Sequence, residues 1–339
     1  KKGLQYCIDI AWKRKIRNNI KLHPFVYKKL KVYGLPSQLT VSCIKQACGI
    51  VKSAKSKPII NKCSIRYNFN RSASIKNNVL SLSTIKGRIK IPFKIPECFE
   101  DYFTWDIDES LLRIDKKGRC FFLFCFSKEV DVINSNLQNR VLGIDFGVNN
   151  LAVTSDRKFF KSSKVKQIKR KFKFLRTKLQ AKGTRSAKRL LKKISGRENR
   201  YMKWINHNIS KQIVSKFDGN KIVMENLKGI RRFNRGKRMN YWISNWSFYQ
   251  LQSFIQYKAE RQGIEVIRVS PRYTSQICSR CGNIGSRSKG FFSCSHCDYS
   301  LNADLNASLN LASPMLEERQ VAVKQPIVTP MLVTSQLIN

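Results

Sequence analysis

The sequence predicts a multidomain α/β protein, with a helical region, a small β-rich domain, an α/β domain and a short cysteine ribbon near the C-terminus. Three observations predict it. Apolar residues recur at helical spacing over 1–62, alternate over 63–140, and form short unbroken runs after 140. Two C-x-x-C pairs stand close together between 278 and 297. The 339 residues include 66 Lys or Arg and only 21 Asp or Glu, a net charge of +45. Such a charge repels itself in a compact state unless a polyanion neutralises it, which excludes an ordinary acidic metabolic enzyme and points to nucleic acid. A membrane surface is the other sink, but the chain has no apolar run of about 18 residues and no signal-peptide pattern. A hydrophobic content of 42% excludes a disordered basic tail.

Leu35-Pro36-Ser37-Gln38 reads as a helix entry, followed by Val41, Ile44, Cys48 and Val51 on one helical face. Residues 64–69, 79–84 and 88–93 are β-rich. Residues 111–114 and 120–126 flank the turn Asp115-Lys116-Lys117-Gly118-Arg119, so 63–140 reads as a small antiparallel barrel or sandwich. From 141 the pattern becomes strand, polar bend, strand, over 141–144, 145–150 and 151–154. Residues 157–203 then hold 20 Lys or Arg against one acid, Glu198. Val165, Ile168, Phe172, Leu175 and Leu179 form a helical seam there. Two antiparallel helices about Gly183 are expected, a basic hairpin over 157–217. Lys169, Arg170, Lys171, Arg176 and Arg189 are its candidate nucleic-acid contacts. Strands at 221–225 and 264–269 flank an amphipathic helix at 251–261 that Gly263 stops, which implies a parallel pair with a right-handed crossover. Residues from Ser313 onward read as a mobile tail. The chain begins Lys1-Lys2-Gly3 without Met, so an N-terminal element is expected to be missing.

Of 11 cysteines, seven are scattered: Cys7, Cys43, Cys48, Cys63, Cys98, Cys120 and Cys125. They read as buried thiols of an intracellular, reducing compartment, the cytoplasm or nucleoid if the source is prokaryotic. Cys278, Cys281, Cys294 and Cys297 have the spacing of a closed thiolate site for one structural Zn²⁺. An iron–sulfur centre or a degenerate knuckle is the alternative, with His296 as a competing ligand. Three acids form a second set. Asp145 and Glu225 end apolar strands, and Asp304 opens a helix after the ribbon. A carboxylate at the end of an apolar strand is costly unless paired or metal-bound. Three that converge would hold two Mg²⁺ ions; singly, each reads as a cap or a surface ion pair. Arg231, Arg232 and Arg235 interleave with Phe233 and precede Tyr241, Trp242 and Trp246, a pattern that suits phosphates and stacked bases. Trp242 and Trp246 fit the packing of a helix core as well. His23, His207 and His296 form no visible cluster for covalent or general-base work.

These features in this order resemble the TnpB family of transposon-encoded RNA-guided DNA nucleases, relatives of the type V CRISPR effectors and of Fanzor proteins. The matching stretches are GIDFGVNNLAV from Gly143, IVMENLKG from Ile222, YKAE from Tyr257, PRYTSQICSRCG from Pro271, the second cysteine pair, and NADLNASLN from Asn302. The resemblance covers most of 140–312; the N-terminal half is similar only in plan. It implies a RuvC-like RNase H fold over 141–272 and 302–312, with the zinc ribbon 273–301 inserted, preceded by a helical recognition region (1–62) and a β-barrel wedge (63–140). It implies Asp145, Glu225 and Asp304 as catalytic Mg²⁺ ligands. Many relatives carry a further Asp where this chain has Asn302.

The implied function is an RNA-guided, Mg²⁺-dependent DNA endonuclease of a transposable element, with a guide RNA and target double-stranded DNA as partners and no membrane. The rivals are an RNA-guided binder that does not cut, and another RNase H-like enzyme such as a junction resolvase or strand transferase.

Overall fold

The computed structural model describes residues 1–61, 64–115, 118–132, 140–230, 236–316, 318 and 320, with only the backbone of Arg238. The chain forms two compact units, Lys1–Glu129 and Val130–Asn339.

The first unit opens with α1 (Lys2–Lys13), α2 (Asn19–Val32) and α3 (Ser37–Ser53). Asn18 starts α2 because its side-chain oxygen accepts from the Ile20 and Lys21 amides, supplying orphaned donors. Leu4, Cys7 and Ile8 of α1 pack against Leu22, Val26 and Leu30 of α2 and Ile44 and Ala47 of α3. Helix α3 begins where the sequence indicates, but Val41 lies off the buried face, which Leu39, Ile44, Cys48 and Val51 form instead. Residues 54–61 are not helical.

Strands β1 (Ser64–Tyr67), β2 (Ala73–Lys76), β3 (Val79–Thr84) and β4 (Gly87–Pro92) follow, then a 3₁₀ helix at Glu97–Thr104. Strands β5 (Asp106–Ile107), β6 (Ser110–Ile114), β7 (Cys120–Leu123) and β8 (Phe126–Ser127) complete the unit. Among the described residues they pair as three small antiparallel sheets, β1-β6-β7, β2-β3-β4 and β5-β8. Tyr67, Ala73, Leu80 and Leu82 share one core with Phe69, Phe93, Phe122 and Phe124. Asp115 and Arg119 close the β6–β7 turn, with Gly118 at φ 80°; Lys116 and Lys117 lie outside the described residues. The expectation of buried thiols holds for Cys7 and Cys48, whereas Cys98, Cys120 and Cys125 are exposed and Cys63 lies outside the described residues.

The second unit is built on a five-stranded sheet. Its strands are β9 (Val141–Asp145), β10 (Asn150–Thr154), β11 (Phe159–Lys161), β12 (Lys221–Glu225) and β13 (Glu265–Val269), in the order β11-β10-β9-β12-β13. The first three are antiparallel; β12 runs parallel to both β9 and β13. Strands β9 and β12 are buried on both faces, which is why they read as unbroken apolar runs.

Helices α4 (Ser163–Lys182), α5 (Arg185–Ile194) and α6 (Arg197–Ser215) occupy the basic stretch, so three helices replace the expected two. Gly183 ends α4 at φ 63°, and a second left-handed glycine, Gly196 at φ 82°, separates α5 from α6. Only Val165 of the expected seam is fully buried; Ile168, Phe172, Leu175 and Leu179 are half-buried. Helices α7 (Lys237–Asn245) and α8 (Phe248–Arg261) follow β12, and Gly263 turns the chain into β13 at φ 74°. Ile144, Ile222 and Met224 face Ile209 and Ile213 of α6 and Leu251 and Ile255 of α8.

Strands β14 (Ser286–Ser288), β15 (Phe291–Ser293) and β16 (Ser300–Asn302) form an antiparallel ribbon, and α9 (Ala303–Ala312) covers the other face of the sheet. There Val223 meets Leu311 and Leu316. Of the tail expected to be mobile from Ser313 onward, Leu316 is buried and the Gln320 amide donates to the Ser270 and Arg272 carbonyls at 3.1 and 2.7 Å, while residues 317, 319 and 321–339 lie outside the described residues. The apolar cover that Leu316 gives Val223 is the reason. No helix among the described residues is long and apolar enough to cross a membrane.

Helix α9 approaches β9 at Gly143. A Cβ there would stand 2.0 Å from the Ser308 carbonyl oxygen and 2.6 Å from the Ala312 nitrogen. Gly143→Ala is expected to destabilise the protein by about 1–3 kcal/mol or more through overpacking. Gly49→Ala, in α3 with open space around it, is expected to stabilise by about 0.5–1 kcal/mol. Urea denaturation of both variants checks the contrast.

Candidate functional site

Parallel pairing brings the first two acids together. Ile144 pairs with Met224, so the next step along both strands places Asp145 beside Glu225 at the strand ends. Asp304 comes from the first turn of α9, whose N-cap Asn302 accepts from the Asp304 and Leu305 amides. Asn302 therefore has a capping role where many relatives carry an Asp. All three acids line one open pocket of about 440 Å³, together with Gly147, Thr274 and Arg287.

The acids are held by neutral donors and one cation. The Thr274 hydroxyl donates to Glu225 Oε1 at 2.5 Å, and Gln252 Nε2 donates to the Glu225 carbonyl at 2.7 Å. Asn150 Nδ2 donates to Asp304 Oδ2 at 2.8 Å, and Arg287 Nη2 lies 3.0 Å from Asp304 Oδ1. Asp145 is only 9% exposed and Glu225 7%. Burial pushes the Asp145 carboxyl well above the usual range, and the charges of Glu225 and Asp304 push it further; Arg287 and the Phe146 amide oppose them. Burial also raises Glu225, against the Thr274 hydrogen bond. Buried like charges with so little compensation form a sink for cations. Hard carboxylate oxygens suit Mg²⁺, and three of them at one pocket fit the donor set of a two-ion site.

The four ribbon cysteines converge. Their sulfurs all lie within 4.8 Å of one another, the only such His, Cys or carboxylate group of three or more among the described residues. The carboxylate oxygens of Asp145, Glu225 and Asp304 are more widely spaced than this. The Cys278–Cys297 and Cys281–Cys294 sulfurs are 3.7 and 3.6 Å apart. Tetrahedral bonds of about 2.3 Å set neighbouring sulfurs about 3.8 Å apart, so the spacing fits one zinc ion. The Asn283 backbone N–H pulls the Cys281 thiol down to about 6, into the thiolate form at neutral pH.

The ribbon is tied to the acids through α9. Asn306 Oδ1 accepts from the Ser279 amide at 3.0 Å, inside the first cysteine pair, and its Nδ2 donates to the Ile277 carbonyl at 2.7 Å. Asn310 donates to the Thr274 and Ile277 carbonyls at 2.8 and 2.7 Å.

The basic helices divide into two kinds of cation. Arg170, Lys171 and Arg189 are exposed. Lys169 is not available to a phosphate: its side chain is 3% exposed, with Nζ 3.2 Å from Glu198 and 2.7 Å from the Asn245 carbonyl. Arg176 is paired with Glu198 at 2.5 Å. The one acid of the stretch draws both inward. Arg231, Arg232 and Arg235 lie outside the described residues. Trp242 and Trp246 are buried in the core against α6 and α8, so they pack rather than stack on bases. Thr274, Arg287, Asn150 and Gln252 escaped sequence reasoning as site residues. Asn150 and Thr274 stand inside the quoted motifs, whereas Arg287 carries no local signal.

Two family models match this chain. A family model described as "Probable transposase" matches residues 124–231, and one described as "Cas12f1-like, TNB domain" matches 248–311. A TnpB-like protein of Methanocaldococcus jannaschii is 32% identical over 197 residues, 53% of this chain and 70% of that one. The chain belongs to the TnpB family. The CRISPR-associated endodeoxyribonuclease Cas12f1 of Sulfoacidibacillus thermotolerans is 44% identical over 119 residues, and the match spans 33% of this chain but only 27% of that relative. Among solved structures, a Cas12f1–sgRNA–target DNA complex superimposes with a TM-score of 0.61 at 16% identity, covering 92% of this chain and 79% of that one. The TnpB-family chain thus shares a multidomain α/β fold with that effector.

Glu198→Gln is expected to leave Lys169 buried without its counter-charge and to cost about 3–5 kcal/mol. Adding Lys169→Met to Glu198→Gln should recover most of the loss. Chemical denaturation of the single and double variants reads this out.

Proposed function

We propose that this protein is an RNA-guided, Mg²⁺-dependent DNA endonuclease of a transposable element. The observation that carries the reading is the delivery of Asp145, Glu225 and Asp304 to one pocket by two parallel strands and the helix tied to the cysteine ribbon. In this reading 141–272 and 302–312 make a RuvC-like RNase H domain, and 273–301 is its zinc ribbon. Residues 1–62 and 63–140 serve as recognition region and β-barrel wedge.

Asp145, Glu225 and Asp304 hold two Mg²⁺ ions, which when bound activate water and stabilise the leaving oxygen of a phosphodiester. Thr274 keeps Glu225 in its rotamer by donating to Oε1, and Asn150 does the same for Asp304 Oδ2. The Arg287 guanidinium, on the wall beside Asp304, is placed to meet a non-bridging phosphate oxygen. Cys278, Cys281, Cys294 and Cys297 hold Zn²⁺, which leaves no open position and so serves structure. The exposed cations of α4 and α5, Arg170, Lys171 and Arg189 among them, neutralise the guide RNA backbone, while base pairing reads the DNA.

The protein purified with its RNA is expected to cut matched double-stranded DNA only with Mg²⁺. Asp145→Asn should lose cutting by at least a thousandfold while retaining RNA and DNA binding in gel shift. Binding without cutting in the unaltered protein would leave the non-cleaving reading.

Removing zinc should free Asn306 and Asn310 from their ribbon partners and displace Asp304. Cys278→Ser with Cys281→Ser is expected to abolish cutting and to lower the melting temperature of the α/β unit. Cutting at an unchanged rate would break the link between ribbon and acids.

A further inference from the structure

The acid pocket does not end at the acids. Segment 226–230 separates it from a second, larger cavity of about 930 Å³. The two share Asn226, Leu227, Lys228, Ile230 and Phe248 as walls, so they are neighbouring chambers of one cleft. Their chemistry differs. The first contains the three carboxylates; among the described residues the second is lined by Lys228 and Arg268 and by no acid. Arg268 is exposed on β13, and its Nη2 is held by Gln256 Oε1 at 2.6 Å, which orients the guanidinium without neutralising it. Tyr249, the second residue of α8, lines the same cavity with 75% of its surface exposed, although Phe248 and Leu251 beside it are buried. Gln252 joins the chambers: it lines the second and donates to the main-chain carbonyl of Glu225 in the first.

An exposed ring beside two cations, in a cavity that shares a wall with the pocket proposed to cut a phosphodiester, has the chemistry of a single-stranded nucleotide site. The ring takes a base of any sequence, and the cations take the flanking phosphates. The volume stands at the upper end of the range of about 300–1,000 Å³ usual for ligand pockets. We propose that the cavity lined by Tyr249, Arg268 and Lys228 is a nucleotide subsite for the DNA strand to be cut, holding the nucleotide next to the scissile phosphate by a stacked base and paired phosphates. DNA is favoured over guide RNA because this chamber shares a wall with the acid pocket. The assignment of DNA rests on the nuclease reading; the stacking site rests on the cavity itself.

The test uses the full-length protein loaded with its RNA, carrying Asp145→Asn so that bound DNA stays intact. A single-stranded DNA oligonucleotide containing 2-aminopurine reports stacking by fluorescence quenching, and anisotropy reports affinity. Tyr249→Ala is expected to weaken binding by about fivefold to a hundredfold and to abolish the quenching, while Tyr249→Phe keeps both. Arg268→Gln is expected to lower the slope of log affinity against log salt by about 0.7. Because Tyr249 and Arg268 are exposed, unchanged melting temperatures separate these effects from misfolding. Quenching and affinity unchanged in Tyr249→Ala would overturn the subsite, as would a photo-crosslink from Tyr249 to guide RNA in place of DNA. With Asp145 restored, DNA cutting together with Tyr249-independent quenching overturns the subsite and leaves the nuclease reading standing. Tyr249-dependent quenching in a protein that never cuts supports the subsite and overturns the nuclease reading.

Discussion

Electrostatic repulsion inside one pocket organises this molecule. A chain with a net charge of +45 brings three of its 21 acids into one chamber and buries two of them almost completely. Each carboxylate raises the cost of ionising the next; Arg287 pairs directly with Asp304 and eases Asp145 and Glu225 only through its more distant charge. Such an arrangement persists because the surrounding frame is stiff: two parallel strands buried on both faces, and a helix seated so closely on β9 that residue 143 has no room for a side chain. The unfavourable charge is held by packing, and its chemistry suits a hard cation.

Helix α9 is where frame, ribbon and acids meet. Its first turn carries Asp304, its middle sits on Gly143, and Asn306 and Asn310 grip the segment leading to the first cysteine pair. Thr274 belongs to that same segment and reaches Glu225 with its hydroxyl. A distortion of the ribbon therefore reaches two of the three carboxylates by separate routes, one through the helix and one through Thr274.

Legibility from the sequence followed how local each signal is. Strands β3 and β12 stand where their patterns indicate, the first because alternation marks a half-buried strand, the second because burial on both faces leaves an unbroken apolar run. The cysteines announce themselves by spacing. Asp145 and Glu225 are conspicuous at the ends of apolar strands. The contacts that were not legible join distant segments. Lys169 looks like any lysine of a basic helix until Glu198, twenty-nine positions on, buries it. Arg287 sits in a polar hairpin that gives no hint of Asp304. The burial of Trp242 and Trp246 depends on α6 and α8, and no local pattern separates a packed tryptophan from one that stacks on bases. The two chambers of the cleft arise from how loop 226–230 crosses between β12, α8 and β13.

The short stretch beyond α9 matters to anyone choosing where an expressed fragment should stop. Leu316 shields Val223, and Gln320 staples the backbone at Ser270 and Arg272, immediately upstream of Thr274. A fragment ending at Ala312 would keep the three pocket acids and every cysteine, yet it would strip Leu316 from Val223 of β12 and loosen the bend that presents Thr274 to Glu225. Retaining the chain through Gln320 preserves that brace.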